Sequence, residues 1–191
     1  MARLRRRALL FAAVVALCVG CDHATKEVAE RALGPGTGLS LLGDVLRLDL
    51  VQNPGAFLSV GALLPDAVRR VLFLGVVPAG LALFCALAVS GGFASGRSLV
   101  ALGLLAGGGV ANWLDRLVNG GAVTDFVSLG LGPLRTGVFN VADVCIVAGV
   151  AWLLAAELRR ADDATAAVVD GDARDAAGAE PGGPRGGEDE R

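Results

Sequence analysis

Long stretches of this sequence contain no charged side chain. Residues 8–21, 71–96 and 98–114 are free of charge, and residues 136–156 contain one charged side chain, that of Asp143. A helix needs about 20 mostly apolar residues to cross the hydrocarbon core of a bilayer. The chain is 54% hydrophobic and only 19% charged, outside the usual range of soluble domains. The sequence therefore predicts an all-α membrane protein with four transmembrane helices.

The predicted spans cover residues 7–26, 71–94, 98–114 and 136–157. The first has two interpretations, because its charge-free core of fourteen residues also suits a signal peptide. Val19-Gly20-Cys21 resembles the end of a lipobox, so the chain could itself be a lipoprotein modified at Cys21. We favour a span, because a helix from Arg7 to Lys26 supplies the ~20 residues that a bilayer requires.

The segment between the first two spans is richer in polar and turn-forming residues. Leu46-Arg-Leu-Asp-Leu50 alternates apolar and polar side chains with the period of a strand, and Asn53-Pro-Gly55 would end that strand in a turn. We expect a small extramembrane β-cradle between helices 1 and 2. The last segment, residues 161–191, holds nine acidic and three basic residues with few large apolar ones. It predicts a disordered acidic tail after a membrane domain of residues 1–160.

Charge gives the orientation only through the N-terminus. With the N-terminus in the cytoplasm, seven Lys or Arg residues lie on each side of the membrane. We decide by the cluster Arg3, Arg5, Arg6 and Arg7, because the segment before the first span usually dominates. Both termini are then cytoplasmic. Nothing in the charge pattern indicates nucleic-acid binding.

The cysteines do not predict a metal or cofactor site. Cys18-x-x-Cys21 has metal-ligand spacing, but a second ligand pair is missing from the sequence and His23 is the sole histidine. We therefore expect neither a metal nor a cofactor.

Polar residues flank the apolar runs at the end that this topology places outside. A charged group at the edge of such a run is costly and is by default a functional candidate. In a helix that begins at Thr136, Asp143 would lie about 10 Å below the helix end. The candidates are Asp22, Lys26, Asn53, Gly55, Asn112, Asp115, Arg116, Asp125, Asn140 and Asp143.

These residues fall into four motifs: Asp22-x-x-Thr-Lys26, Asn53-Pro-Gly-Ala-Phe57, Asn112-x-x-Asp-Arg116, and Val-Thr-Asp125-Phe paired with Phe-Asn140-Val-Ala-Asp143. In this order and spacing the set resembles the lipoprotein signal peptidases, or signal peptidase II, from about Asp22 to Glu157. The resemblance implies a monomeric intramembrane aspartyl peptidase of the bacterial inner membrane. It would act near the outer face on lipid-modified prolipoproteins, among membrane lipids, and Asp125 and Asp143 would be its catalytic dyad. Thr124 departs from the family, where an aliphatic residue is common.

The residues themselves allow this chemistry. Two carboxylates in a partly dehydrated site cannot easily both ionise, so one holds a proton while the other accepts one from water. Structural roles remain open: Asp125 could cap a turn, Asp143 could pair with Arg116, and Asp22 with Lys26 could form an ion pair on a helix surface.

The remaining candidates also have two interpretations each. Asn140 could orient Asp143 on a shared helix face or join two helices, Asn112 and Arg116 could bind substrate or anchor the third span, and Asn53 with Gly55 could form only a turn. Two other activities compete. One is a Ser/Lys hydrolase that uses Ser59 and Lys26, and the other is a small transporter or lipid-binding protein in which buried acids relay protons.

Overall fold

A computed structural model describes residues 1–34, 38–55, 61, 63–90 and 96–178. Four of its helices are long and apolar enough to cross a membrane, as predicted. The helices are α1 (Ala2–Ala32), α2 (Asp66–Val71) continued by a π-helical turn (Leu72–Val76) and α3 (Val77–Ser90), α4 (Gly96–Val118) and α5 (Val141–Gly178). The strands are β1 (Leu39–Leu41), β2 (Leu46–Asn53), β3 (Val123–Leu131) and β4 (Leu134–Arg135).

The span α4 forms the centre of the helix bundle. In its most apolar window 56% of the residues are buried, against 11–17% in the other three spans. Glycines allow this close packing, as the sequence predicts. A Cβ added to Gly107 would lie 2.6 Å from Cys18 Cβ on α1, and one added to Gly149 of α5 would lie 2.7 Å from the carbonyl oxygen of Ala101 on α4.

The β-cradle is a four-stranded antiparallel sheet in the order β1-β2-β3-β4. The predicted part, β1 and β2, does lie between the first two spans. The other half, β3 and β4, comes from the connection between α4 and α5, which the sequence analysis did not assign to a sheet. The pairing of β2 with β3 sets Asn53 opposite Val123 and Val51 opposite Asp125. We call the end of the bundle that carries this sheet the sheet end.

The last helix begins later than predicted. Residues 136–140 are not helical, because they close onto β3: Thr136 N–H donates to Leu129 O, and Phe139 bridges Val127. The helix then continues to Gly178, through residues for which disorder was expected. The alanine-rich composition of this segment favours a helix even without apolar packing. The rest of the tail, residues 179–191, lies outside the described residues.

We expect the glycine contact between α4 and α5 to be needed for stability. Gly149→Ala should lower the unfolding temperature in detergent, because overpacking a close contact typically costs 1–3 kcal/mol. Gly80→Ala in α3 is the matched control, since a Cβ there meets nothing within 4 Å and alanine is the better helix former. Equal unfolding temperatures for the two variants would contradict this packing.

Candidate active site

All ten candidate residues lie within the described part of the chain, and the structure brings them together at the sheet end. Asp125 projects from β3 and is 2% exposed. Asp143 lies in the first turn of α5 and is half-buried. Burial raises the pKa of Asp125 to about 6; the charge of Asp143 adds to this rise, while hydrogen bonds from Asn53 and Asn140 oppose it.

The amide of Asn140 joins the two carboxylates. Its Nδ2 donates to Asp125 Oδ1 at 2.7 Å and to Asn112 Oδ1 at 3.1 Å, while its Oδ1 accepts the backbone N–H of Asp143 at 2.9 Å. Asn112 Nδ2 in turn donates to Asp143 Oδ1 at 3.0 Å. Each carboxylate therefore receives a side-chain amide hydrogen bond, and one asparagine connects both.

Asp143 does not lie 10 Å inside a helix, as the sequence analysis expected. Asn140 is the residue before α5, and the two residues bond reciprocally: Asn140 Oδ1 accepts from Asp143 N–H, and Asp143 Oδ2 accepts from Asn140 N–H at 3.3 Å. This is the geometry of a capping box. Asp143 is thus held at the helix start, and Asn140 acts as its cap rather than as a neighbour on a helix face.

A turn after β2 brings Asn53 to Asp125. Asn53 Oδ1 accepts the N–H of Gly55 at 2.9 Å, and its Nδ2 donates to Asp125 Oδ2 at 2.9 Å. Arg116 fixes this turn, because its Nη2 donates to Gly55 O at 2.6 Å and its guanidinium lies 4.7 Å from the ring centroid of Phe73. The structure gives Arg116 these partners instead of the predicted pairing with Asp115 or Asp143.

Lys26 forms the centre of a buried ionic cluster behind the carboxylates. Its Nζ lies 2.6 Å from Asp22 Oδ2 and 2.8 Å from Asp115 Oδ2, and all three side chains are at most 5% exposed. The expectation of an ion pair on a helix surface is therefore wrong. The reason is packing, because α4 lies against α1 and covers this face.

Both acids of the cluster also accept backbone hydrogen bonds. Asp115 Oδ2 accepts the N–H of Thr124 at 3.0 Å, and Asp22 Oδ1 accepts the N–H of Ala142 at 2.8 Å. These two N–H groups belong to the residues that immediately precede Asp125 and Asp143. One lysine thus holds, through two carboxylates, the backbone at both members of the pair.

Thr124 has contacts that sequence reasoning did not foresee. It is 1% exposed, and its hydroxyl accepts from Gln52 Nε2 at 3.0 Å and Asn119 Nδ2 at 3.3 Å and donates to Glu30 Oε1 at 3.4 Å. The threonine that departs from the family therefore joins β2, α4 and α1 beside Asp125. The departure itself was the one signal available in the sequence, since neither Gln52 nor Glu30 belongs to a motif.

Among the residues that the structure describes, no group of three or more His, Cys, Asp or Glu side chains could hold a metal ion. The site consists of carboxylates, amides and two buried cations.

The fold and site define a four-span membrane protein with a buried carboxylate pair under a small sheet. Two solved bacterial membrane enzymes share the fold. One has a TM-score of 0.65 at 20% identity, with 80% of this chain and 90% of that chain covered. The other has a TM-score of 0.60 at 23% identity, with 78% and 92% covered.

Residues 14–159 match the family model of signal peptidase (SPase) II. A lipoprotein signal peptidase of Leifsonia xyli is 35% identical over 158 residues, which are 80% of this chain and 68% of that protein. Those of Rhodococcus jostii and Mycobacterium tuberculosis are each 36% identical over 161 residues, which are 78% of this chain and 72% and 70% of the relatives. The chain therefore belongs to the signal peptidase II family and is a peptidase.

Removing the central cation should destabilise the protein strongly. Lys26→Met leaves Asp22 and Asp115 buried without their counter-ion, and breaking a buried ion pair in this way costs about 3–5 kcal/mol. Arg31→Gln is the control, because Arg31 pairs with Glu27 on the same helix but is 77% exposed, and exposed pairs contribute at most about 1 kcal/mol. Unfolding in detergent micelles measures both variants. A Lys26→Met protein as stable as the control would show that the cluster does not hold the site.

Proposed function

We propose that this chain is an aspartyl endopeptidase that removes the signal peptides of bacterial prolipoproteins within the membrane. It cleaves before a cysteine that carries a diacylglyceryl group, and Asp125 and Asp143 are its catalytic dyad. The supporting observation is the pair of carboxylates joined through the amide of Asn140. The names of the relatives, all lipoprotein signal peptidases, support the substrate class.

The two carboxylates are suited to different steps because their surroundings differ. Asp125 is almost fully buried, and its pKa of about 6 favours the protonated form. Asp143 is half-buried and begins the open side of the pair. In the resting dyad Asp125 therefore holds the shared proton, while Asp143 takes a proton from the attacking water. Asp125 then protonates the leaving nitrogen as the tetrahedral intermediate collapses.

The competing hydrolase mechanism lacks its base. Lys26 is buried between two carboxylates at 2.6 and 2.8 Å, so its ammonium is stabilised in the charged form and is a poor proton acceptor. Ser59 lies outside the described residues, as does Phe57. Membership of a peptidase family also favours hydrolysis over the proton-relay transporter. The unbroken helix α1, which carries both Asp22 and Lys26 to the site, supports a span over a cleaved lipoprotein signal.

Orientation in the membrane is part of the same proposal. With both termini in the cytoplasm, the sheet end lies near the outer face of the bacterial inner membrane. A lipid-modified precursor can reach that level from within the outer leaflet, so its acyl chains contribute to binding at about 0.8 kcal/mol per buried CH₂ group.

The dyad should fail as a unit. We expect Asp125→Asn and Asp143→Asn each to abolish processing of a diacylglyceryl-modified precursor, and the double variant to be no worse than either, because residues that act together are not additive. The measurement is a gel-shift assay with purified protein in detergent, with unmodified precursor as the poor substrate and Glu27→Gln as the active control. Processing by Asp143→Asn at the wild-type rate would rule out the aspartyl mechanism.

Loss of the amide at Asn53 should move the pH profile in a defined direction. The Nδ2 of Asn53 donates to Asp125 Oδ2 and so favours the ionised carboxylate. Asn53→Ala removes that donor, which raises the pKa of Asp125 and lets it keep its proton to higher pH. The alkaline limb of the kcat/KM profile should therefore shift upward, with the limbs assigned to the coupled pair.

Thr124→Val is the control for this shift, because the Thr124 side chain bonds Gln52, Asn119 and Glu30 and not the Asp125 carboxylate. A downward or absent shift for Asn53→Ala would contradict the role given to Asp125.

A further inference from the structure

Beside the active site, at the start of the second span, lies a small cavity of about 140 Å³. Its walls include Arg69 and Arg70 of α2, Phe73 of the π-helical turn, Pro54 after β2, and the glycine turn Gly120–Gly121 after α4. Pockets for drug-sized ligands are typically 300–1,000 Å³, so this cavity admits a small group and not a peptide segment.

The charge of the cavity is unbalanced. Asp66 is its one acidic wall residue, and Asp66 Oδ1 already accepts from Arg69 Nη2 at 2.5 Å. Among the described residues no carboxylate lies within ion-pair distance of Arg70, whose side chain is exposed. The cavity therefore presents an uncompensated guanidinium, a group whose planar donors suit phosphate oxygens.

An apolar groove of about 390 Å³ lies on the neighbouring face of the same helical segment. It is lined by Ala67, Val68, Val71, Leu72 and Val76, which contribute almost only apolar surface. The segment begins the candidate span Asp66–Ser90. Arginines in the first turn of a span lie at the depth of lipid headgroups, while the valines below them lie at the depth of acyl chains.

We propose that the cavity and groove together bind one phospholipid, whose phosphate diester contacts Arg70 and whose acyl chain follows the valine groove. An anionic headgroup is preferred, because the two arginines exceed the single acid by one charge. The substrate's diacylglyceryl group carries no phosphate and would not use Arg70.

The lipid also connects to the active site, although its binding does not depend on the peptidase mechanism. Pro54 lies between Asn53, which bonds Asp125, and Gly55, which bonds Arg116. Phe73 lies under the same guanidinium at 4.7 Å. A bound phosphate diester thus closes the cavity between the second span and the turn that positions Asn53, and it stabilises that contact.

Binding is tested with the full-length protein in a non-ionic detergent. Short-chain phosphatidylglycerol, short-chain phosphatidylcholine and inorganic phosphate are each added, and thermal unfolding and native mass spectrometry are recorded. We expect phosphatidylglycerol to give a one-to-one adduct and a higher unfolding temperature, with a smaller effect of phosphatidylcholine and none of phosphate at equal concentration.

Arg70→Gln should weaken phosphatidylglycerol binding about five- to tenfold, as expected for one arginine at a lipid phosphate, and Arg70→Lys should retain part of it. Because Arg70 is exposed, its lipid-free unfolding temperature should match the wild type. Arg31→Gln removes an arginine with a similar one-turn acidic partner near the end of α1, and it should bind as the wild type does.

Two results would overturn the site. Equal weakening by Arg70→Gln and Arg31→Gln would mean nonspecific attraction of anionic lipid. Protection by inorganic phosphate as strong as that by phosphatidylglycerol would mean an anion site without a lipid.

Discussion

The buried ammonium of Lys26 is the interaction on which the rest of the site depends. It neutralises Asp22 and Asp115, and those acids then accept the backbone N–H groups of Ala142 and Thr124. Three buried charges are expensive to desolvate, so such a cluster is a poor way to gain stability alone. Its return is geometric, because it fixes the start of α5 and the strand β3 relative to one point on α1.

The carboxylate pair needs this fixing because its members come from unlike elements. Asp125 is on a strand, where the pairing of β2 with β3 sets its height, and Asp143 is in the first turn of a helix. A shift of one residue in the strand register would turn Asp125 to the other face of the sheet. The N–H of Thr124, held by Asp115, and the hydroxyl of Thr124, held by Gln52, both oppose that shift.

Much of this arrangement is predictable from local sequence, and the rest is not, for a physical reason. Charge-free runs predict the four spans, and the polar motifs predict which side chains gather at one end. The contacts that define the site join distant residues: Asn53 to Asp125 across 72 positions, and Asp22 to Ala142 across 120. No local period contains such contacts. The same limit explains the missed strand β3 and the late start of α5, which both follow from the bridge of Phe139 to Val127.

The late start of α5 has a chemical consequence. A helix that began at Thr136 would bury Asp143 within apolar packing, where an ionised carboxylate is strongly disfavoured. Because the helix begins at Val141, Asp143 instead lies at the N-terminus, where the helix dipole and free N–H groups stabilise negative charge. Asp125 has no such compensation on its buried strand. The two carboxylates of the proposed dyad thus differ because one begins a helix and the other lies inside a sheet, so the fold itself determines which of them holds the proton.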